Sequence, residues 1–282
     1  MPAAERSCGC PLPTIWEVPD DLWEEVEAIL ECFYPPAATG RPRADLRRVL
    51  DGIIFRLRSG CQWAQLPGRF GPCSTVHGWF QRFVADGVLE EIWAYLVREC
   101  EELGEVCWEW QAIDGVMGKS RFGGEKTGPN PTDRAKMGTK KSVHVEQHGG
   151  PLAVVIAAAN VNDHKLLEQT IDAVVIARPD PDEVHQHLCL DKGYDNPTGT
   201  GACARSGYVP HIRRIGHEKH DDRGEKTQPA RRWVVERTIA WLQRCRALLV
   251  RYDKKPNNYL GLIQLACALL WYRRRHQRLH PA

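Results

Sequence analysis

The chain of 282 residues is long enough for one large domain or two smaller ones, each with its own core. Its 43% hydrophobic and 26% charged residues are ordinary for a soluble globular protein, and no stretch approaches the ~18 apolar residues of a membrane span. The formal net charge of +2 hides an asymmetry: residues 1–113 carry 10 Lys/Arg against 18 Asp/Glu, and residues 205–255 carry 14 against 6. Such a split points to a polyanionic partner near the basic part, or to a solvated basic face. The 11 cysteines are odd in number and scattered, and Met1–Cys10 has no secretory apolar run. Reduced thiols in a cytoplasmic protein are expected. Cys8 and Cys10 are the only close pair, with no second pair at zinc-site spacing. Cys189, Cys245 and Cys267 lie in apolar stretches and read as small buried residues.

Residues 1–15 are Pro-rich and expected to be irregular. Asp20 or Asp21 can cap a helix through about Phe33, with Leu22, Val26, Ile29 and Leu30 on one face. Asp45 opens a second amphipathic helix, which Gly60 closes. Ser74 can cap a third, Thr75–Val84, and a fourth, Leu89–Glu102, follows Gly87. Residues 16–103 thus read as a helical, helix-turn-helix-like domain. Residues 104–282 change character. Trp108–Met117, Lys141–Glu146 and Leu152–Ala159 read as strands, the last two joined by a His148-Gly149-Gly150 turn. Asp163 can cap a helix through about Ile176; strands follow at Gln186–Leu190 and Tyr208–Ile212. Helices close the chain at about Arg231–Leu249 and from Asn257 or Asn258 to about Arg275. Three strands in a meander followed by αβ crossovers predict an α/β class with a mixed sheet and helices on its faces.

Three carboxylates stand out by position. Asp114 ends the first strand, Asp191 ends the fourth, and Glu236 lies in the basic helix beside Val235, Ile239 and Leu242. Strand ends are where open α/β sheets place ligands, and a glutamate against an apolar stripe needs a partner or a metal. Oxygen-rich sites suit Mg²⁺ or Mn²⁺, and two such ions can activate a water or a 3′-hydroxyl in phosphoryl transfer. Each residue also has a plainer reading. Asp114 before Gly115 and Asp191 before Lys192-Gly193 are good turn residues, and Glu236 can pair with Arg232 one helical turn away.

Several segments in order resemble bacterial insertion-sequence transposases of the IS5 group. They are Asp114-Gly115, Gly128-Pro129-Asn130-Pro131-Thr132-Asp133-Arg134, Gly138-Thr139-Lys140, Asp191-Lys192-Gly193-Tyr194-Asp195 and Arg232-Trp233-Val234-Val235-Glu236-Arg237. Cys61-Gln62-Trp63 and Leu66-Pro67 are similar to the group's N-terminal helical domain, and the resemblance runs from about Trp16 to Arg275. It implies an RNase H-like fold and DDE chemistry with two divalent metal ions, Asp114, Asp191 and Glu236 being both catalytic and metal-binding. Around the glutamate, Arg232 fits the family pattern, Pro229 stands where the family has Tyr, and Gln243 stands at the final basic position. Arg244 or Arg246 can take that last role. The 76 residues between the two aspartates and the 44 before Glu236 leave no room for a large inserted domain.

For such an enzyme the basic residues are candidate DNA contacts. Trp233, Arg237, Trp241 and Arg244 form one helical stripe that can meet phosphates or an unpaired base. Core packing of the two tryptophans, with the arginines snorkelling, is the alternative and the favoured reading for the tryptophans. Lys192 adjoins Asp191, and Arg213, Arg214, Lys219, Arg223 and Lys226 occupy a polar loop suited to sequence-independent phosphate contact. Base readers are sought on the third helix, at His77, Gln81 and Arg82, and on the second, at Arg47, Arg48 and Arg58. His144 and His148 read as structural. The expected partners are the element's terminal inverted repeats and target DNA, with at least a dimer on DNA, no membrane and no organic cofactor, in the bacterial cytoplasm at the nucleoid. The rival readings are an RNase H-like nuclease without strand transfer and a DNA-binding protein that has lost catalysis.

Overall fold

A computed structural model describes residues 14–36, 39–40, 42–212 and 232–280. Four helices come first: α1 (Asp20–Phe33), α2 (Leu46–Ser59), α3 (Cys73–Ala85) and α4 (Val88–Glu102). Asp45 caps α2 by accepting from Arg48 N at 3.1 Å, and Gly60 closes it in the left-handed conformation at φ 69°. The expected caps of α1 and α3 are not side-chain caps. Pro19 and Pro72 precede those helices, and Asp20 and Asp21 sit inside the first turn of α1, where the helix dipole favours them.

The remaining chain runs β1 (Trp110–Ser120), β2 (Gly128–Pro129), β3 (Met137–Glu146), β4 (Pro151–Ala158), α5 (Leu167–Asp172), β5 (Gln186–Leu190), α6 (Pro197–Arg205), β6 (Tyr208–Ile212), α7 (Trp233–Gln243), β7 (Val250–Arg251) and α8 (Pro256–Leu279). The five main strands lie in the order β4-β3-β1-β5-β6. β3 and β4 are antiparallel to their neighbours, while β1, β5 and β6 are parallel. A three-strand meander extended by two parallel strands through helical crossovers is the RNase H-like arrangement. Two helices are shorter than their periodicity predicts. The Asp163 segment makes only a 3₁₀ turn before α5, and α7 stops at Gln243, followed by a 3₁₀ turn at Arg246–Leu248.

β3 does not alternate between core and solvent. All its residues after Met137 are buried, because α7 lies on one face and α5 on the other, while β1 and β4 flank it. His144 is therefore fully buried against Tyr208, and burial pushes it down to about 3, so it stays neutral. One apolar core runs from Ile15 to Tyr272. α8 packs along α4, where Trp93 and Trp271 both donate to Pro151 O, at 3.1 and 2.7 Å. The last helix of the chain thus completes the core of the first four.

Lys141 shows what double-sided burial demands. Its ammonium donates to Leu248 O at 3.1 Å, and burial lowers it from 10.5 to about 8. The unfolded chain binds this proton more tightly than the fold does. The charge therefore opposes folding fully below about pH 8, and the penalty fades as pH rises toward 10.5. Lys141→Met is expected to stabilise the protein at pH 7 by about 2–3 kcal/mol. Leu248 O keeps its bond from Tyr259 Oη at 2.9 Å. Thermal unfolding at pH 7 and pH 10 checks this. The gain should shrink at the higher pH, and an unchanged melting temperature at pH 7 would refute it.

Candidate active site

β1 is the axis of the site. Trp110–Ala112 pair with β5, and Lys119 and Ser120 pair with β7, so the edge between them is open. Strands that part in this way leave a crevice at the carboxyl end of the parallel pair. The register places Ala112 opposite Cys189. Two residues further along each chain come Asp114 and Asp191, on the same face of the sheet by the two-residue period of a strand. That face is the one α7 crosses, through Val234, Val235 and Ile239. Glu236 rides on α7 above it.

Local chemistry holds each group. Asp114 Oδ1 accepts from Gly115 N at 2.7 Å, and Asp191 Oδ1 accepts from Gly193 N at 2.7 Å. Asp191 thus caps the 3₁₀ turn that follows β5, whereas Asp114 does not end its strand as expected: β1 continues past it to Ser120, held there by pairing with β3 and β7. Glu236 is more exposed than its apolar neighbours suggest, at 53% for its side chain. Its partner is Arg232, whose Nη2 donates to Glu236 Oε1 at 3.0 Å and whose Nη1 stands 3.9 Å from Asp191 Oδ2. Asp114 is raised above the ordinary carboxylate range by burial. Arg232 opposes that shift, while Asp191 and Glu236 add to it. One guanidinium thus sits in the field of all three carboxylates. Three negative charges against one positive suit further cations, and the donor set is all oxygen, as Mg²⁺ or Mn²⁺ requires.

The carboxylates are not drawn together tightly. Among the described residues, the set of ligating side chains whose donor atoms all lie within 4.8 Å of one another is Cys107, Glu146 and His148. Glu146 there is an anchor for the β3–β4 turn: it accepts from His148 N at 2.8 Å and Gly150 N at 2.6 Å, and pairs with Arg274 at 2.8 Å.

Behind Asp114 lies a group that sequence reading missed. Asp163 caps no helix. Its carboxylate presses against Gly115, where a Cβ would collide with it, and it pairs with the buried Lys140 at 3.0 Å. Tyr194 is also buried, and that burial, with the field of Asp163, Asp114 and Asp191, raises its hydroxyl far above the ordinary range. The available signal was the Gly138-Thr139-Lys140 motif, whose lysine points at this carboxylate.

The α7 stripe overturns the core-packing reading of its tryptophans. Trp233 is 55% exposed, Trp241 is half-buried, and the Arg237 guanidinium is stacked between them at 4.7 and 4.8 Å from the two rings. Arg237 also donates to His148 O at 2.6 Å. Lys192, Arg244 and Arg246 are exposed.

The proposed base readers are engaged elsewhere. Arg47 pairs with Asp20, and Arg48 donates to Arg69 O. Arg58 bonds Ile15 O at 3.1 Å, and His77 stacks on Trp63 at 4.7 Å. Gln81 bonds His77 and Lys255, and Arg82 lies over Tyr34 and Trp79. Arg213, Arg214, Lys219, Arg223, Lys226, Pro229, Cys8 and Cys10 lie outside the described residues.

Residues 112–271, the span that carries this site, match the family described as "Transposase DDE domain", and residues 18–93 match "Putative transposase of IS4/5 family". The chain belongs to the DDE transposase family. The transposase is 35% identical over 158 residues to the "Putative transposase for insertion sequence element IS402" of Burkholderia cepacia, a match covering 55% of this chain and 72% of that protein. It is 34% identical over 100 residues to "Uncharacterized protein y4sN" of Sinorhizobium fredii, covering 35% of this chain and 72% of that one. A far looser likeness, to the crystal structure of the catalytic domain of Mos1 mariner transposase, has 10% identity and a TM-score of 0.29. It covers 65% of this chain and 91% of that one. The transposase is therefore an enzyme acting on DNA, of a family that uses divalent metal. No helix among its described residues is long and apolar enough to cross a membrane.

Proposed function

We propose that this transposase cuts the ends of its insertion element and joins the freed 3′-hydroxyls to target DNA, with Asp114, Asp191 and Glu236 as the catalytic carboxylates. The observation that carries this reading is the shared face. Asp114 inside β1 and Asp191 just past the end of the adjacent parallel strand β5 lie in register on one face, and a glutamate from the crossing helix meets them through Arg232. Two Mg²⁺ or Mn²⁺ ions held by the three carboxylates would supply charge stabilisation at the attacking and leaving oxygens.

The chain's own groups do the rest. Gly115 N and Gly193 N orient the two aspartates. Arg232 can exchange a carboxylate for a phosphate oxygen, since both accept its guanidinium fork. Lys192, exposed next to Asp191, and Arg237, Arg244 and Arg246 on and after α7 supply further positive charge for the strand. A 3′-hydroxyl can attack from the position a water takes in the first step, so one site serves both. The helical residues 16–103 would bind the terminal repeats, and bringing two ends together calls for at least a dimer on DNA.

A joining assay tests the reading. With a pre-cut element end, a supercoiled target and Mg²⁺ or Mn²⁺, joined products are expected, and chelation should abolish them. Nicking without joining would identify a nuclease instead.

A further inference from the structure

Beyond the reaction centre, β1 leads to a second surface. It consists of the loop from Arg121 to Lys136, which contains the Gly128–Arg134 motif, and the segment from β7 to Lys255. Lys119, Arg121, Lys126, Arg134, Lys136, Lys254 and Lys255 are all exposed there. The acidic counterweights are Asp133, 3.5 Å from Lys119 and 3.9 Å from Lys136, and the exposed Glu125. Phe122, 59% exposed, and Tyr252, 48% exposed, meet edge-on at 5.9 Å between the basic side chains.

Like charges crowded on two loops repel, yet these loops are clamped together from below. Arg251 is 1% exposed, and its guanidinium donates to Asp253 O at 2.8 Å, Lys254 O at 2.9 Å, Lys126 O at 3.3 Å and Thr139 Oγ1 at 2.9 Å. Arg121 N donates to Arg251 O at 2.9 Å. Gly124 lies so close to Lys254 O that a Cβ would collide with it. Lys126 is held in the left-handed region at φ 55°, which a lysine avoids unless its surroundings impose it. A buried arginine satisfied by backbone carbonyls thus fixes the spacing of an outward-facing basic surface.

We propose that this surface is a rigid platform for the phosphate backbone of double-stranded DNA, independent of base sequence. Most of its cations are lysines, point charges without the planar fork that reads guanine edges. The exposed aromatic pair suits the apolar faces of deoxyribose. β1 rises about 3.3 Å per residue, so Ser120 lies about 20 Å from Asp114, or about six base pairs along a duplex. That placement rests on the proposed reaction centre; the DNA binding itself does not.

The test is equilibrium binding of the full chain in EDTA, where nothing is cut, to an element-end duplex and to an unrelated duplex of equal length. The variant carrying Arg121→Ala, Lys126→Ala and Lys254→Ala is expected to bind both about 100-fold more weakly at ~0.1 M salt. Its log affinity should fall less steeply with log salt, by about 2–3 in slope, one increment for each phosphate no longer neutralised. A charge-matched variant carrying Lys165→Ala, Arg205→Ala and Arg278→Ala, all exposed and outside both the helical residues 16–103 and the platform, should stay within about threefold. Equal behaviour of the two variants would overturn the proposal, as would a loss confined to the element end or a loss with an unchanged slope.

Inactive carboxylates would leave these results untouched, so failure of the catalytic reading and failure of the platform can be told apart.

Discussion

Asp114→Asn, Asp191→Asn and Glu236→Gln are each expected to lower cleavage of an element-end duplex by about 10³-fold or more, with duplex binding in EDTA kept within about threefold. Each change removes one negative charge at constant volume. The backbone bonds survive, because an amide oxygen still accepts from Gly115 N or Gly193 N. The ability to hold divalent cations does not survive, and the expected loss reflects removal of that electrostatic stabilisation from the transition state. Stability should not fall with activity. Asp114 is raised by burial and by its two carboxylate neighbours, so neutralising it relieves repulsion in the fold. Cleavage assays beside thermal melts separate the two effects. A competent Glu236→Gln enzyme would remove the glutamate from the mechanism.

Gly115→Ala is expected to lower cleavage by about 100-fold while the protein still folds. The new methyl group would enter the space held by the Asp163 carboxylate. Asp163 cannot yield easily, because Lys140 grips it at 3.0 Å and is itself tied to Val161 O at 2.7 Å. The strand must shift instead, carrying Asp114 with it, and a displacement near 1 Å at a reacting group is worth about that factor. Adding Asp163→Ala removes the obstacle, so the double variant should recover activity relative to Gly115→Ala alone. That non-additivity is the mark of a direct contact. Full activity of Gly115→Ala would show that β1 tolerates the change without moving Asp114.

Local signals found most elements. Asp45 and Gly60 bounded α2 because capping and left-handed closure depend on neighbours within a turn. β5 and β6 were legible as apolar runs between turn residues. The helical periodicity of α7 continues through Cys245–Leu248, but there the chain turns as 3₁₀ and packs beside α2. The outward position of the α7 tryptophans has another cause. Hydrophobicity alone cannot say which face of a helix a sheet covers, and the sheet took Val234, Val235 and Ile239.

The carboxylates divide the same way. That Asp114 lies on a strand, that Asp191 follows one and that Arg232 lies one turn before Glu236 is decided within the sequence, by strand alternation and the helical repeat; that β1 runs on past Asp114 to Ser120 is not. Their meeting is not. It follows from the parallel register of β1 against β5, from the parting of β5 and β7 that opens the edge beside Asp114, and from α7 crossing that face. Asp163 behind Gly115, Arg251 beneath the basic loops and α8 against α4 belong to the same class. Each joins segments far apart in the chain, and such contacts are selected by burial and charge balance across the whole fold rather than by any residue's near neighbours.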